Sequence, residues 1–274
     1  MIVKVCNADY SLQWDGIYQF ALENYPHIQE WELEKLAKFI AYEQDHCRQT
    51  IMECEDLELN IQIHDYLQEH SYFPPYRPSH QLVASTYDIH KKLVTSNYCS
   101  HTCTVEVAQA IFQTGKLMSA VKVFGKSGAE LVTDSRNAAS DPADYFDYIM
   151  FGWSNTTSGY RLAMERLLGR APSEEELQEK FIPGVSFHFL YEELIQAPGY
   201  IFDGYHVAKV RDSLDLDTFL HLCVIPSKDK VCFEGLIPCQ LQDRVIYLDY
   251  EGEGIQAWNT KVNKVLHGKD KLKE

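Results

Sequence analysis

The sequence predicts an α+β protein in which a mainly helical N-terminal region, residues 1–76, precedes a strand-rich domain, residues 77–274. Before residue 71, apolar side chains recur mostly at helical spacing, whereas short extended runs dominate from residue 81 onward. Between the two regions, residues 71–78 contain three prolines within five positions. Neither a helix nor a central strand accommodates such a segment, so we expect the domain boundary there.

Within the first region, the sequence predicts one short strand at residues 2–6 and then mostly helices. Apolar side chains in residues 16–24 follow helical spacing, and Pro26 ends that segment. The strongest helical pattern covers residues 31–54, where apolar side chains fall three, four or seven positions apart. Residues 57–63 alternate strictly, which favours a half-buried strand, although a continued helix remains an alternative.

In the second region, we expect a mixed, mostly antiparallel arrangement of strands with a few helices. One helix is expected over residues 159–168, another begins at the Ser173–Glu176 capping box, and a last one covers residues 255–266. Residues 125–140 are polar and are predicted to form a surface loop. The candidate strands are residues 93–100, 120–124, 145–151, 185–190, 206–210, 219–225, 230–233 and 244–250.

The composition restricts the class of protein. The chain has 40 acidic and 25 basic residues, giving a formal net charge of -15 and an isoelectric point near 5.1. A field of this sign disfavours duplex nucleic acid and anionic membranes as partners. The sequence has no signal-peptide layout and no run of transmembrane length, and its eight cysteines suit a reducing compartment, so we expect a cytoplasmic location.

The most informative stretch is residues 98–119, where an extended run, a short polar turn, a helix and a glycine follow one another. The helix is expected over residues 105–114, with Thr104 as N-cap and Gly115 stopping it in a left-handed conformation. His101 then lies at a strand end just before a helix N-terminus, where backbone donors favour an anionic ligand. The buried face of this helix would comprise Val105, Ala108, Ile111 and Phe112.

This order of strand, His101-Thr102, helix and glycine resembles the opening motif of the ADP-ribosyltransferases. The resemblance implies the fold of that superfamily, with NAD as substrate. It also implies glycosyl transfer, in which the bond between nicotinamide and ribose is cleaved and ADP-ribose passes to a protein or small-molecule acceptor. His101 would hydrogen-bond a ribose hydroxyl of NAD, and the backbone of Thr102 would hold the nicotinamide carboxamide. The alternative is that His101 is a structural or surface histidine.

The same family has an aromatic side chain on a later strand that stacks on the nicotinamide. In this chain Ser186 stands where the poly-ADP-ribosylating branch commonly has tyrosine, so Phe187 or Phe189 would take that role. The alternative is that both rings belong to the core of an alternating strand. Arg136 and Arg161 are candidates to meet the pyrophosphate on the basis of charge.

The resemblance further implies a catalytic glutamate on or after a late strand. A fixed carboxylate there stabilises the positive charge that develops on the ribose as nicotinamide leaves. Glu234, which is followed by two apolar residues and a proline, resembles the glutamate of the DNA-modifying bacterial toxin branch, and Glu251 is the second candidate. Glu234 as an exposed hairpin carboxylate is the alternative. Because Cys232 stands two positions before Glu234, the acidic pair of the arginine-directed transferases is missing, and arginine is not the expected acceptor.

Two other classes of protein compete with this interpretation. Cys99, His101 and Cys103 share one face of an extended strand, so a metal-dependent hydrolase with these ligands, or a thiol nucleophile among them, is conceivable. The preferred hypothesis includes no metal. A non-enzymatic interaction protein would instead use the helix at residues 31–54 to dock a partner, leaving His101 and Glu234 without a function.

Overall fold

The computed structural model describes residues 1–8, 11–14, 16–70, 86–87, 93–94, 97–134, 141–202 and 205–270. The described strands are β1 (Ile2–Cys6), β2 (Leu12–Trp14), β3 (Ile17–Ala21), β4 (Ile51–Cys54), β5 (Thr86–Tyr87), β6 (Leu93–Val94), β7 (Tyr98–Cys103), β8 (Lys116–Met118), β9 (Tyr148–Trp153), β10 (Val185–Leu190), β11 (Tyr200–Ile201), β12 (Ala208–Arg211), β13 (Ser213–Asp215), β14 (Leu222–Pro226) and β15 (Val245–Leu248). The described α-helices are α1 (Glu30–Asp45), α2 (Leu57–Glu69), α3 (Val105–Thr114), α4 (Ala120–Phe124), α5 (Gly128–Val132), α6 (Ser158–Leu168), α7 (Glu174–Gln178), α8 (Tyr191–Leu194), α9 (Leu216–Phe219) and α10 (Gly254–Asp270). Short 3-10 helices cover Ala143–Asp147, Ser227–Phe233 and Cys239–Arg244.

The chain divides into two compact units. The N-terminal unit comprises Met1–Pro78, Gly128–Tyr145 and Phe202–His206, and the C-terminal unit comprises Ser79–Ser127, Phe146–Ile201 and Val207–Glu274. The predicted boundary at residue 76 lies outside the described residues. None of the described helices is both long enough and apolar enough to cross a membrane.

The N-terminal unit is built on a four-stranded sheet in the order β2-β3-β1-β4. β1 runs parallel to both β3 and β4, and β2 pairs antiparallel with β3. The helices α1 and α2 share a core with one face of this sheet, in which Val5, Phe20, Leu36 and Ile63 are at most 1% exposed. The other face is more open, because its side chains are only half-buried.

A segment far along the chain completes the core of the N-terminal unit. The ring of Tyr205 lies 4.7 Å from the ring of Phe39 and 5.7 Å from that of Tyr18, measured between centroids. Both partner rings are at most 3% exposed. The core of this unit therefore depends on residues separated by most of the chain.

The N-terminal region contains the two long helices α1 and α2, but only one of its four strands, β1, forms where a strand was predicted. Residues 16–24 contain β3 rather than a helix, and the buried Tyr18 and Phe20 follow the two-residue period of a strand. The helix predicted over residues 31–54 ends at Asp45 and is followed by β4. In both segments the spacing of apolar residues is compatible with a helix. Each nevertheless contains a strand, because β3 and β4 pair in parallel with β1.

Residues 57–63 form the first half of α2. They are therefore helical, which was the alternative to the strand that their alternating pattern favoured. The Asp56 side chain accepts a hydrogen bond from the backbone N–H of Leu59 at 2.9 Å and caps the helix. Leu59 and Ile63 are buried and lie four positions apart, which fits a helix as well as a strand. The aspartate cap is therefore the signal that separates the two interpretations.

The C-terminal unit contains a seven-stranded sheet in the order β11-β12-β9-β7-β10-β14-β15. All pairs are antiparallel except β14 with β15. Smaller two-stranded sheets join β8 with β13 and β5 with β6. The expected mixed, mostly antiparallel α+β class is confirmed for this part of the chain.

Both faces of the seven-stranded sheet are covered. On one face, Phe112 of α3 packs against Phe187 of β10, with ring centroids 5.4 Å apart. On the other face, Tyr160 of α6 donates to or accepts from the Ser186 hydroxyl at 2.9 Å, and its ring lies 6.4 Å from that of Trp258 of α10. The central strands are therefore removed from water on both sides.

Several local predictions in this unit are confirmed. α6, β10 and α10 form where the sequence predicts them, and Ser173 and Glu176 make the predicted capping box. Others are wrong. Residues 120–124 form α4 rather than a strand, and residues 230–233 belong to a 3-10 helix. The loop predicted at residues 125–140 contains α5, which belongs to the N-terminal unit, and its residues 135–140 lie outside the described residues.

Candidate functional site

The candidate site lies where two neighbouring strands of the large sheet separate. β7 pairs with β9 only through Cys99 opposite Trp153 and Ser100 opposite Gly152. On its other side β7 remains paired with β10 along its whole length, from Tyr98 to Cys103. Among the described residues, no strand pairs with the β9-facing edge of β7 from His101 onward. We call this place the strand fork.

His101 occupies the first position past the strand fork. Its ring is half-buried, and Nδ1 lies 3.3 Å from the backbone oxygen of Met150 on β9. Burial lowers the pKa of His101, and the Met150 carbonyl raises it by a smaller amount. The imidazole is therefore neutral at pH 7. Since a carbonyl oxygen only accepts, Nδ1 carries the proton and donates it to Met150, which leaves Nε2 as a hydrogen-bond acceptor.

The predicted helix after His101 is confirmed as α3. Thr104 is extended at its N-cap position, although its side chain makes no capping hydrogen bond. Gly115 ends the helix with φ 68°, in the left-handed region where glycine is favoured. Because Phe112 of α3 is fixed in the core, the helix also holds the carboxyl end of β7 in place.

Thr102 lies on the opposite face of β7 from His101 and is contacted by the start of α6. A Cβ atom at Gly159 would come within 2.7 Å of Thr102 Oγ1, so only glycine permits this approach. Two residues further along, Arg161 is 8% exposed, and its Nε donates to Thr157 Oγ1 at 3.0 Å. The positively polarised end of α6 therefore lies against Thr102, on the face of β7 opposite to His101.

The structure places Phe187 and Phe189 in the core, in agreement with the alternative interpretation of these rings. Both are 0% exposed. Phe187 packs on Phe112, and Phe189 packs edge-on to Phe151 at 5.4 Å between centroids. Neither ring has a face open to a ligand, so neither can stack on a nicotinamide in this structure. Arg136, the predicted pyrophosphate ligand, lies outside the described residues.

Glu234 is exposed and follows a 3-10 helix, not the predicted strand. The preceding Phe233 is buried with its ring edge-on to Phe112, at 5.9 Å between centroids, so the loop that carries Glu234 is anchored. The contacts that lead from His101 to Glu234 pass through the buried rings of Phe187, Phe112 and Phe233. No direct contact between the two candidates is described.

The second candidate carboxylate, Glu251, is also exposed and lies just after β15. Its backbone N–H donates to Glu253 at 2.7 Å, and Glu253 in turn forms an ion pair with Lys261 at 3.3 Å. The carboxylate of Glu251 is therefore positioned at a turn that is ordered by its neighbours. Neither glutamate is distinguished by burial.

The three residues of the proposed metal site do not converge. Cys99 and Cys103 lie four positions apart on an extended strand, which separates them by about 13 Å at the usual rise. Burial raises the pKa of both thiols well above the ordinary value, which keeps them protonated. In the described part of the chain, no three histidine, cysteine or acidic side chains are grouped closely enough to hold a metal ion.

The helix expected to dock a partner is part of a core. Leu33, Leu36, Phe39 and Ile40 of α1 are between 0% and 8% exposed and belong to the hydrophobic cluster of the N-terminal unit. The apolar face that suggested an interaction surface is therefore already covered by the sheet and by Tyr205. The structure gives this face a folding role.

The sequence analysis missed a buried chain of hydrogen bonds on the face of β10 that α6 covers. Ser154 Oγ lies 2.9 Å from Nδ1 of His188, and Nε2 of His188 lies 2.9 Å from Ser186 Oγ. Ser186 Oγ is in turn 2.9 Å from the hydroxyl of Tyr160. All four residues are at most 2% exposed. The alternation of Ser186 and His188 in an otherwise apolar strand was the available signal.

This buried chain is neutral. Burial, with a smaller effect of the nearby His221, lowers the pKa of His188 to about 3. Burial also raises the pKa of Tyr160 well above its ordinary value. The chain therefore connects uncharged groups and stabilises one arrangement of β9, β10 and α6.

The protein has no significant match among family models, curated proteins or solved structures.

Proposed function

We propose that this chain is an NAD-dependent ADP-ribosyltransferase that acts at the strand fork, with a protein or small-molecule acceptor. The observation that supports the proposal most directly is the state of His101. It is neutral, half-buried, fixed through Nδ1 by the Met150 carbonyl, and left with Nε2 as an acceptor. A ribose hydroxyl of NAD is a donor that fits this atom.

The surroundings of His101 also suit a dinucleotide. In the described part of the chain no strand pairs with the β9-facing edge of β7 beyond Ser100, and we infer that a carboxamide hydrogen-bonds the backbone of Thr102 there. The N-terminal end of α6 adjoins Thr102 from the face of β7 opposite to His101, and such a helix end favours an anionic group. Both features belong to one short stretch of a rigid strand.

In the proposed reaction, the bond between ribose C1′ and the nicotinamide nitrogen breaks, and its electron pair leaves with nicotinamide, which becomes neutral. The acceptor forms a bond to C1′ and loses a proton to water. Positive charge develops on the ribose during this step, and a carboxylate beside it lowers the barrier. Glu234 is our first choice for this carboxylate and Glu251 the second, because each lies on an ordered turn after a core element.

The test is nicotinamide release from NAD by the purified full chain, compared with His101→Ala, Glu234→Gln and Glu251→Gln. We expect release by the wild type. Replacing the acting glutamate should reduce the rate about 100-fold or more, which is the usual scale for one electrostatic contact in a transition state. His101→Ala should weaken NAD binding about tenfold, because one hydrogen bond to the ribose is lost.

The matched control is Glu192→Gln, which removes an exposed carboxylate from α8 in the same unit and should leave the rate unchanged. Release that survives in His101→Ala with unchanged NAD affinity would contradict the assignment of the strand fork. If the folded wild type neither binds nor cleaves NAD, the proposed function is wrong.

A further inference from the structure

The N-terminal unit contains a cleft that the proposed function does not use. It has a volume of about 320 Å³ and is lined by Lys4, Val5, Cys6, Asn7, Gln19, Tyr25 and Glu55. This volume falls at the lower end of the range of small-molecule sites. We call it the carboxyl-edge cleft, because of where its residues lie in the sheet.

The cleft forms at the carboxyl ends of three parallel strands. Val5 is level with Phe20 of β3 and with Cys54 of β4, so the three strands end at the same edge. Asn7 directly follows β1 and Glu55 directly follows β4, while Tyr25 lies four residues after the end of β3. Each of the three strands therefore contributes a polar side chain to the edge where open parallel sheets bind ligands.

Two further side chains extend the cleft onto the open face of the sheet. Lys4 and Gln19 are direct cross-strand partners and are half-buried, on the side of the sheet away from α1 and α2. Cys6 is the next residue of β1 on that face and is also half-buried. The cleft thus has a polar floor on the sheet face and a polar wall at the carboxyl edge.

The lining of the cleft carries charges of opposite sign, on Lys4 and Glu55. Burial raises the pKa of the Cys6 thiol, the Lys4 ammonium lowers it, and the Glu55 carboxylate raises it. Both charges therefore act on the same thiol. Among the described residues, Lys4 forms no ion pair, although Glu53 is its cross-strand neighbour, and Glu55 forms none either.

We propose that the carboxyl-edge cleft binds a small zwitterion, an α-amino acid, with its carboxylate on Lys4 and its ammonium group on Glu55. The amides of Asn7 and Gln19 and the hydroxyl of Tyr25 supply further hydrogen bonds to such a ligand.

A phosphate ligand fits this cleft less well. Among the described residues that line the cleft, Lys4 is the single cationic side chain, whereas Glu55 adds a carboxylate and Asp56 directly follows Glu55 in the chain. The carboxylate of Asp56 already caps α2 and is not available to a ligand. A zwitterion satisfies both the single cation and the carboxylate, while a phosphate would be repelled by the second.

The experiment is a thermal-shift and calorimetric screen of the full chain, without NAD, against the common L-amino acids at millimolar concentration. We expect at least one to raise the unfolding temperature and to bind with one-to-one stoichiometry. Its N-acetyl derivative and its carboxamide should each bind about tenfold more weakly or worse, because each lacks one of the two charges.

Glu55→Gln should weaken binding of the amino acid about tenfold and leave binding of the N-acetyl derivative unchanged. Lys4→Gln should also weaken binding of the amino acid about tenfold, but it should leave binding of the carboxamide unchanged. Glu58→Gln, an exposed carboxylate of α2 outside the cleft, is the matched control and should change neither. Absence of binding by every amino acid, equal binding of the blocked derivatives, or preferred binding of inorganic phosphate or AMP would overturn the proposal. Failure of NAD cleavage would not affect it.

Discussion

The two units of this protein bury polar groups in different ways. In the N-terminal unit, Arg48 binds the fully buried Glu43 through two nitrogens, at 2.8 Å each, and Asp144 through a third at 2.5 Å. In the C-terminal unit, the buried polar groups of the His188 chain are neutral. The Arg48 cluster is thus a network of charges, whereas the His188 chain is a series of uncharged hydrogen bonds.

The difference follows from how far each cluster is removed from water. The side chains of Arg48 and Asp144 remain 22% and 23% exposed, so solvent still stabilises their charges. His188 lies on a central strand of a sheet that is covered on both faces, and it is 1% exposed. A charge there would lose nearly all of its hydration, so a neutral group is favoured. The comparison teaches that these two clusters differ in charge because they differ in exposure.

The largest expected effect tests how closely the doubly covered sheet is packed. Phe187→Ala should lower the free energy of unfolding by about 4 kcal/mol, because the ring is fully buried against Phe112 and leaves a cavity. Urea unfolding followed by circular dichroism measures this. Val231→Ala, at a side chain 68% exposed, is the control and should change the free energy by under about 0.5 kcal/mol. A loss below about 1 kcal/mol for Phe187→Ala would show that the core is not tightly packed.

The next test removes the cation from the charged network. Arg48→Met should destabilise the protein by about 3 kcal/mol, because Glu43 is then left buried without its partner. The control is Arg170→Met, which breaks the exposed pair with Glu176 and should cost at most about 1 kcal/mol. Equal effects of the two substitutions in urea unfolding would contradict the distinction between a buried and an exposed pair.

The neutral chain predicts a specific pH dependence. The pKa of His188 is about 3 in the folded state, below its unfolded value near 6.5. Between these values the unfolded state binds a proton that the folded state does not, so stability falls as the pH falls below 6.5. From pH 7 to pH 5 the loss should be about 2 kcal/mol.

The measurement is urea unfolding of wild type and His188→Asn at both pH values, with His27→Asn as the exposed control. The difference between pH 7 and pH 5 should shrink in His188→Asn and stay unchanged in His27→Asn. If both variants keep the full wild-type difference, His188 is not the group responsible, and its neutrality in the fold is refuted.

The smallest expected effect compares the ends of two helices. α3 ends at Gly115 with φ 68°, whereas the chain after α1 passes through Cys47 with φ 57°. Gly115→Ala should therefore destabilise the protein by about 1 kcal/mol, and Cys47→Gly should stabilise it by somewhat less than that. Cys47→Ala serves as the control and should be close to neutral. If thermal unfolding showed that Gly115→Ala stabilises the protein or that Cys47→Gly destabilises it, left-handed strain would not govern these positions.

The sequence predicted the C-terminal unit better than the N-terminal unit, for a physical reason. α3 and Gly115 are fixed by local signals: an apolar face at helical spacing and a residue suited to the left-handed region. β3 and β4 depend on parallel pairing with β1, which involves residues far apart in the chain and leaves little local trace. Helical spacing in residues 16–24 was therefore misleading.

The candidate site shows the same limit. The position of His101 at a strand end before a helix could be predicted, because both elements are local. The strand fork could not, since it depends on where β9 leaves β7. The alternation of β10 already offered a core position for Phe187 as an alternative, whereas the 3-10 helix before Glu234 depends on packing of Phe233 against Phe112, which no short motif encodes.

The returning segment that brings Tyr205 into the N-terminal core has a consequence for synthesis of the protein in the cell. This unit begins at Met1 but needs residues as late as His206, so it cannot finish folding when its first segment leaves the ribosome. At the usual elongation rate of about 5–20 residues per second, residue 206 is added roughly 10 to 40 s after residue 1. During that interval the apolar side of α1 and the ring of Tyr18 lack their contact with Tyr205. A nascent chain stalled before residue 202 should therefore be bound by chaperones more readily than one stalled after residue 274.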